Sequence, residues 1–140
     1  MPASPAEVAS AFVAAINAAD LTALRALMTD DHTFTDARGM TFSGADKMIA
    51  GWQYFFRAYP DYWIHIDQSF ANGSEVALFG GAGGKWRVND RILDKNWTVA
   101  AAWLAEVESG KIRHWSIFCD TAWIKPPQSN ESASARPETP

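Results

Sequence analysis

Apolar residues recur at helical spacing near the start of the chain. Val8, Phe12 and Ile16 are four residues apart, which places them on one face of an α-helix. Ser4 and Pro5 precede this stripe as an N-cap residue and a proline at the first helical position. The pattern predicts a helix from residue 5 to about residue 18.

Two further helices are predicted before residue 60. Asp20 is an N-cap candidate for the second, and Asp30 and Asp31 follow its apolar face of Leu21, Leu24, Leu27 and Met28. Ser43 is expected to cap the third, and Pro60 to end it. The apolar positions of the third helix are Met48, Ile49, Trp52, Phe55, Phe56 and Tyr59. The first two helices are expected to pack as a hairpin.

The remaining pattern is that of β-strands. A short strand is predicted at residues 33–35, and four others are predicted at residues 62–66, 75–79, 97–107 and 111–123. Every second residue from Trp97 to Val107 is apolar, so one face of that strand is expected to be buried. Asn-Gly and Ser-Gly pairs at 72–73 and 109–110 favour tight turns.

This order of elements predicts an α+β domain over residues 1–125, in which three N-terminal helices cover a mostly antiparallel sheet. A sheet of this kind that curves forms a cone. Residues 126–140 are polar and proline-rich, and we expect them to form a disordered C-terminal tail.

Composition narrows the possible functions. The 140 residues include seven Trp and eight Phe, more large rings than packing alone requires, so some are expected to line a cavity. The net charge of −4 comes without a basic stripe, which argues against a nucleic-acid partner. Because no apolar run is long enough to span a bilayer and Cys119 is the single cysteine, we expect a cytoplasmic protein with no membrane partner.

Four segments give the sequence a resemblance to a known superfamily. They are "FVAAINAADLTALRALMTDDHTF", "DARGMTFSGADKM", "ESGKIRHW" and "HWSIFCDTAW". Over residues 5–125 the chain resembles the nuclear transport factor 2-like superfamily, and within it the SnoaL-like and ketosteroid isomerase-like small proteins. The resemblance implies a cone-shaped sheet of the cystatin-like α+β barrel type, a pocket for a small hydrophobic molecule, and frequently a homodimer formed through the sheet. Because the superfamily includes both enzymes and binders, it does not select one reaction.

Asp36 is the main catalytic candidate. Residues 10–37 align without a gap with the ketosteroid isomerases, which this chain resembles. In that alignment "FTDA" falls on their "VEDP", in which the aspartate is the general base. A desolvated carboxylate at the mouth of an apolar cavity is a stronger proton acceptor. The alternative is structural, because an aspartate shortly before Gly39 can also hydrogen-bond the backbone amides of a turn.

Other positions depart from the related enzymes. Ketosteroid isomerases stabilise an enolate with a tyrosine and a protonated aspartic acid. In this chain Phe12 takes the tyrosine position, and Ala102 or Trp103 takes the acid position. Ile117 stands where limonene epoxide hydrolases carry an aspartate. Steroid isomerisation and epoxide hydrolysis are therefore ranked below other acid–base reactions.

Two residues are candidate proton partners for Asp36. His65 lies in mid-strand, where an imidazole either faces the cavity or is a buried structural group. Asp120 corresponds to a late-strand acid of SnoaL-like cyclases, but strict alternation from Trp115 puts Cys119 inside and Asp120 outside unless a β-bulge intervenes. His32 and His114 are expected at the surface. The spacing of zinc ligands is missing, so no metal is predicted.

The predicted pocket wall is aromatic and aliphatic. Its residues are Phe12, Trp52, Tyr59, Trp86, Trp97, Trp103, Trp115 and Ile117, although some of these are expected to be plain core. The favoured function is a cofactor-independent isomerase, cyclase or dehydratase that acts on a small hydrophobic carbonyl or polyketide-like compound. A non-catalytic binding protein with the same cavity is the alternative.

Overall fold

The computed structural model describes residues 2–127, in which three helices lie on one side of a six-stranded sheet. The helices are α1 (Pro5–Asn17), α2 (Leu21–Ala26) and α3 (Ala45–Ala58). The strands are β1 (Met28–Thr35), β2 (Thr41–Ser43), β3 (Trp63–Asn72), β4 (Glu75–Gly84), β5 (Arg87–Val88), β6 (Arg91–Ile92), β7 (Trp97–Glu108) and β8 (Lys111–Cys119). A 3₁₀ helix at Ala122–Ile124 follows β8. Residues 128–140, which include most of the predicted tail, lie outside the described residues.

The first two helices begin where the sequence predicts. Ser4 Oγ accepts from the Glu7 backbone N–H at 3.2 Å, and Glu7 Oε1 accepts from the Ser4 N–H at 2.8 Å. This reciprocal pair satisfies two of the free donors of the first turn. Asp20 Oδ1 likewise accepts from Ala23 N–H at 3.0 Å. Both predicted caps are confirmed.

Two helix boundaries differ from the prediction. α2 ends at Ala26, and Met28 is already part of β1, where it pairs with Ile112 and is fully buried. Met28 therefore reaches the core from a strand. α3 follows Gly44, which has a φ of 101° and no side-chain cap, because Ser43 belongs to β2.

The sheet has the strand order β2-β1-β8-β7-β4-β3. All neighbours are antiparallel except β1 and β8, which run parallel. The α+β prediction is confirmed, with three N-terminal helices over a curved and mostly antiparallel sheet. Since β2 and β3 are its edges, the sheet stays open. Strand β2 and the separate β5–β6 hairpin were missed because each strand has only two or three residues.

Strand β4 extends through the glycine-rich run that follows Phe79. A Cβ on Gly80 would lie 1.8 Å from the His65 carbonyl oxygen of β3, beside a register shift between Ile66 and Gln68. Only glycine permits this close approach of two strands. The glycine run is therefore part of a strand.

The inner face of the sheet, which faces the helices, carries the large core residues. Its fully or nearly fully buried members include Ile112, Trp115, Trp103, Ala105 and Val76. Alternation along β7 and β8 places these side chains on one face. No helix among the described residues is long and apolar enough to cross a membrane.

Candidate functional site

The candidate site lies at one end of the inner face, which we call the mouth. Strands β1 and β8 end there, and β3 and β7 begin there. Five rings from four segments meet at the mouth, namely Phe55, Tyr59, Tyr62, Trp97 and Trp123. We call these five residues the mouth cluster. Phe55 contacts Tyr62 edge-on at a centroid distance of 4.7 Å, which is favourable for aromatic pairs.

Asp36 lies in the turn between β1 and β2. Its Oδ1 atom accepts from the backbone N–H groups of Arg38 at 2.9 Å and Met40 at 3.0 Å. The Asp36 N–H donates to the Met40 carbonyl at 2.9 Å. The carboxylate therefore orders the turn, as the structural alternative predicted.

The second carboxylate oxygen of Asp36 has a different environment. Oδ2 lies 3.7 Å from Arg38 Nη2, beyond ordinary hydrogen-bond length, and the Asp36 side chain is 18% exposed. One oxygen is thus fixed by the backbone, and the other is free of a direct hydrogen bond among the described residues. A carboxylate held in this way is oriented and can still accept a proton.

The register of β1 against β8 places Asp36 at the rim of the inner face. Phe34 pairs with Trp115 and Thr35 with Ser116, so the chain direction carries Asp36 toward Ile117. Phe34 and Ile117 are partly buried and pack against the core.

Tyr59 is the ring of the mouth cluster whose pKa responds to Arg38. Its hydroxyl donates to the Ile124 carbonyl at 2.7 Å. Burial raises the pKa of the Tyr59 hydroxyl and the Tyr54 phenol adds to the rise, while the positive charge of Arg38 opposes it. Tyr59 therefore stays protonated, and its proton is held by the Ile124 carbonyl.

A thiol and an indole N–H also lie at the mouth. Burial raises the pKa of the Cys119 thiol, and the Trp123 indole N–H opposes that rise. This N–H is buried and makes no hydrogen bond of ordinary geometry. Desolvation, with a smaller contribution from Cys119, also raises the pKa of Tyr62. Sequence reasoning placed Cys119 inside by alternation but did not select Cys119, Tyr62 or Trp123 as site residues.

His65 lies on the opposite, outer face of the sheet, so the expectation that it faces the cavity was wrong. Its side chain is 71% exposed and its Nε2 lies 2.9 Å from Asp67 Oδ1. Alternation is the reason, because Ile64 is the buried neighbour in β3. His65 therefore has no route to Asp36 within one chain.

Asp120 is also outside. It follows inward Cys119 and is exposed, and its Oδ1 accepts from Ala122 N–H at 2.7 Å. Strict alternation along the end of β8 thus predicted its side correctly, and the alternative of a pocket acid does not hold for this structure. Its hydrogen bond caps the turn into the 3₁₀ helix.

The predicted wall residues divide into core and mouth. Phe12, Trp52, Trp86, Trp103 and Trp115 are buried in the packed interior, with Phe12 and Trp115 rings 4.7 Å apart. Trp97 and Tyr59 belong to the mouth cluster, and Ile117 lies at the rim. The most deeply buried of these rings make the core of the domain.

The remaining histidines differ from their predicted surface positions. His32 is fully buried, and its Nδ1 donates to the Ile112 carbonyl at 2.9 Å. Desolvation lowers the pKa of His32, and its Nε2 has no hydrogen-bond partner in the described part of the chain. His114 is half-buried on the outer face, where it hydrogen-bonds the hydroxyls of Thr33 and Ser116. Within residues 2–127, no three His, Cys, Asp or Glu side chains cluster as metal ligands would.

Comparison with known proteins supplies the family. A model of the SnoaL-like domain matches residues 9–115. The chain belongs to the SnoaL-like domain family. A search of curated proteins gives no significant match.

Solved structures share the fold of this SnoaL-like domain. A protein of Xanthomonas campestris, provisionally named a polyketide cyclase, superposes with a TM-score of 0.77 at 17% identity, covering 86% of this chain and 93% of that one. An uncharacterized cystatin-fold protein of Novosphingobium aromaticivorans gives 0.70 at 23% identity, covering 83% and 98%. A hypothetical protein of Catenulispora acidiphila with a ketosteroid isomerase-like fold, in complex with trimethylamine, gives 0.67 at 19% identity, covering 80% and 84%. At these identities the likeness shows the fold alone.

Proposed function

We propose that this SnoaL-like domain binds a small hydrophobic carbonyl compound at the mouth and acts on it by general acid–base catalysis without a cofactor. Asp36 is the base. The observation that carries the proposal is the unequal environment of its two oxygens, since Oδ1 is anchored by two backbone N–H groups and Oδ2 is not. Fold neighbours provisionally named polyketide cyclases support this reaction class without assigning a substrate to this chain.

The chemistry would be proton removal next to a carbonyl group. Asp36 Oδ2 takes the proton, and negative charge develops on the carbonyl oxygen. The Arg38 guanidinium, 3.7 Å from Asp36 Oδ2, is the donor beside the base that can stabilise that charge. The Tyr59 hydroxyl can assist only after its proton is released from the Ile124 carbonyl. Return of the proton at another carbon gives isomerisation, while attack on a second carbonyl or loss of a hydroxyl gives cyclisation or dehydration.

Hydrogen–deuterium exchange of an enolisable ketone tests the base without knowledge of the natural substrate. The exchange of 2-tetralone in D₂O is followed by proton NMR with wild-type protein and with Asp36→Asn. Asparagine retains the oxygen that accepts from the turn, so the loop is preserved. We expect the catalysed rate to fall by about 100-fold or more.

Asp67→Asn is the matched control, because Asp67 pairs with His65 on the outer face. Its exchange rate should equal that of the wild type. Equal rates for Asp36→Asn and wild type would remove Asp36 from the mechanism.

A non-catalytic binding protein is the second candidate. The observation in its favour is that Asp36 already has a structural role in the turn, and that His65 and Asp120 are both absent from the mouth. Saturable binding of 2-tetralone with no exchange between pH 5 and 9 would support this function instead.

We further propose a homodimer formed through the outer face. Trp63, Phe79 and Phe118 are exposed there beside two open grooves of about 500 and 420 Å³. The groove floors are made by small residues such as Gly81 and Ala100, next to the protruding rings. A second copy related by two-fold symmetry would place a ring of each protomer in a groove of the other.

Sedimentation equilibrium tests this assembly. Phe118→Glu should convert a dimer into a monomer, since it places a charge at the apolar interface. Tyr54→Glu is the control, because Tyr54 is exposed on α3 and away from this face. A wild-type monomer at 100 µM or so would contradict the proposal.

A lone cysteine suits a reducing compartment, and we accordingly propose that the protein is cytoplasmic.

A further inference from the structure

The Trp123 indole fills a slot between flat rings. It stacks on Trp97 with centroids 4.1 Å apart and an interplanar angle of 10°. Tyr59 meets it edge-on at 5.1 Å, and Phe55 does so at 6.3 Å. One parallel face and two perpendicular edges define a narrow slot that accepts a planar aromatic ring.

The backbone carbonyls of Trp123 and Ile124 accept hydrogen bonds from two side chains of the same region. Trp86 Nε1 donates to the Trp123 carbonyl at 2.7 Å, and the Tyr59 hydroxyl donates to the Ile124 carbonyl at 2.7 Å. Both donors belong to the body of the domain, and both acceptors belong to residues 121–127. A buried donor without an acceptor is costly, so whatever fills the slot must carry oxygen acceptors.

Residues 121–127 are attached to the body of the domain by few polar contacts. Among the described residues, two hydrogen bonds link this segment to parts of the domain other than the neighbouring strand β8. Their donors are Trp86 Nε1 and the Tyr59 hydroxyl. Its other bonds are local, from Ala122 N–H to Asp120 and from Ile124 N–H to Thr121. The buried Trp123 indole N–H has, within residues 2–127, no hydrogen-bond partner of ordinary geometry, and it interacts only with the Cys119 thiol, so leaving the slot costs this group no more than a weak contact with sulfur.

We propose that residues 121–127 hold the place of the ligand, with the Trp123 ring and two carbonyl oxygens standing where the ligand binds. The ligand is then a planar aromatic or polycyclic compound with carbonyl or phenolic oxygens. It stacks on Trp97, accepts from Trp86 and Tyr59, and displaces the segment. The inference rests on the proposed function of the mouth and names the class of compound that the mouth takes.

Cys119 gives the displacement a reporter. It is the single cysteine of the chain, and its thiol lies close enough to the Trp123 indole to respond to it. When Trp123 leaves the slot, its indole no longer shields the Cys119 thiol from solvent. A methanethiosulfonate reagent should therefore modify Cys119 faster in Trp123→Ala than in the wild type.

The binding experiment compares 9-fluorenone with fluorene, two flat tricycles that differ in a carbonyl oxygen. Affinity is measured by tryptophan fluorescence with full-length wild type, Trp123→Ala and the control Trp63→Ala, whose ring is on the outer face. We expect Trp123→Ala to bind 9-fluorenone about 10-fold or more tightly than the wild type, because it no longer competes for the slot. Trp63→Ala should match the wild type, and fluorene should bind more weakly than 9-fluorenone.

A second measurement uses the wild type alone, in case Trp123→Ala does not fold. Saturating 9-fluorenone should accelerate amide hydrogen exchange in residues 121–127. Slower exchange there, or weaker binding by folded Trp123→Ala, would mean that Trp123 is a wall of the site, and the inference would be overturned.

The outcomes separate this inference from the proposed function. If Trp123→Ala binds 9-fluorenone as the wild type does and the exchange of 2-tetralone depends on Asp36, the displacement of residues 121–127 is rejected and the proposed catalytic site is kept. Tighter binding in Trp123→Ala without Asp36-dependent exchange supports the slot and removes the catalysis. No binding of 9-fluorenone by any folded variant overturns the slot itself.

Discussion

The two faces of one sheet differ in what they bury. The inner face carries Trp103 and Trp115, which are 2% and 1% exposed, while the outer face carries Phe79 and Phe118, which are 45% and 56% exposed. Both sets are aromatic, and strand β8 contributes to both through Trp115 and Phe118. Residue type therefore does not show which rings serve stability, because alternation along β4, β7 and β8 decides it.

Candidate chemistry follows the same division. Asp36 lies at the inner rim, whereas His65 and Asp67 form an exposed pair on the outer face. A partner for the proposed base Asp36 would have to come from the inner side, where Arg38 and Tyr59 are the candidates. The outer face is the surface through which we propose that two copies associate.

The largest expected effect is loss of an inner ring. Trp115→Ala should lower the free energy of unfolding by about 3–5 kcal/mol, because it removes a fully buried side chain and leaves a cavity. Phe118→Ala, three residues away on the outer face, should cost less than about 1 kcal/mol in the monomer. Urea denaturation at low protein concentration measures both. Equal losses would contradict the division between the faces.

Glycine positions give the next largest effect. Gly80→Ala should destabilise the protein by about 1–3 kcal/mol, since its Cβ would meet the His65 carbonyl oxygen at 1.8 Å. Gly51→Ala is the matched control at an exposed position of α3. A Cβ added there would have as its nearest neighbour the Met48 side-chain carbon at 4.0 Å. It should raise stability by about 0.5–1 kcal/mol. Thermal unfolding of the two variants should shift in opposite directions.

Acid should weaken the inner face through His32. Its folded-state pKa is lowered by burial, so the unfolded chain binds the proton more readily, and the stability present above about pH 6.5 is lost as the pH falls. One such group changes the unfolding free energy by at most ~1.4 kcal/mol per pH unit. The charged groups that act on it are His114, Asp31 and Arg25.

Urea denaturation between pH 5.5 and 8 measures this slope. In His32→Gln the slope should be shallower than in the wild type, whatever the absolute loss of stability. His65→Gln makes the same substitution at an exposed position on the outer face and serves as the control for it. A slope that is the same in His32→Gln and the wild type would assign the pH dependence to other groups.

The smallest expected effect is on the outer face. His65 and Asp67 are more than half exposed, and such surface pairs contribute about 0–1 kcal/mol. His65→Gln should therefore change the unfolding free energy at pH 6 by less than about 0.5 kcal/mol. A larger loss would show that this pair is buried in an assembly under the conditions used.

Local signals in the sequence determined much of the fold. The capping residues Ser4 and Asp20, the stripe of Val8, Phe12 and Ile16, and the period-two pattern of β7 each depend on neighbours within a few residues. The side of Cys119 and Asp120 followed from the same alternation. Periodicity is a local property, so these features could be predicted before any contact was known.

Tertiary structure decided the rest. Met28 joins a strand because it pairs with Ile112, and His32 is buried because β1 lies against β8 and Phe12. Trp123 enters the slot beside Trp97 through a contact between residues 26 positions apart. Pairing and packing across such separations depend on which chain segments meet in space, and local patterns along one segment do not contain that information.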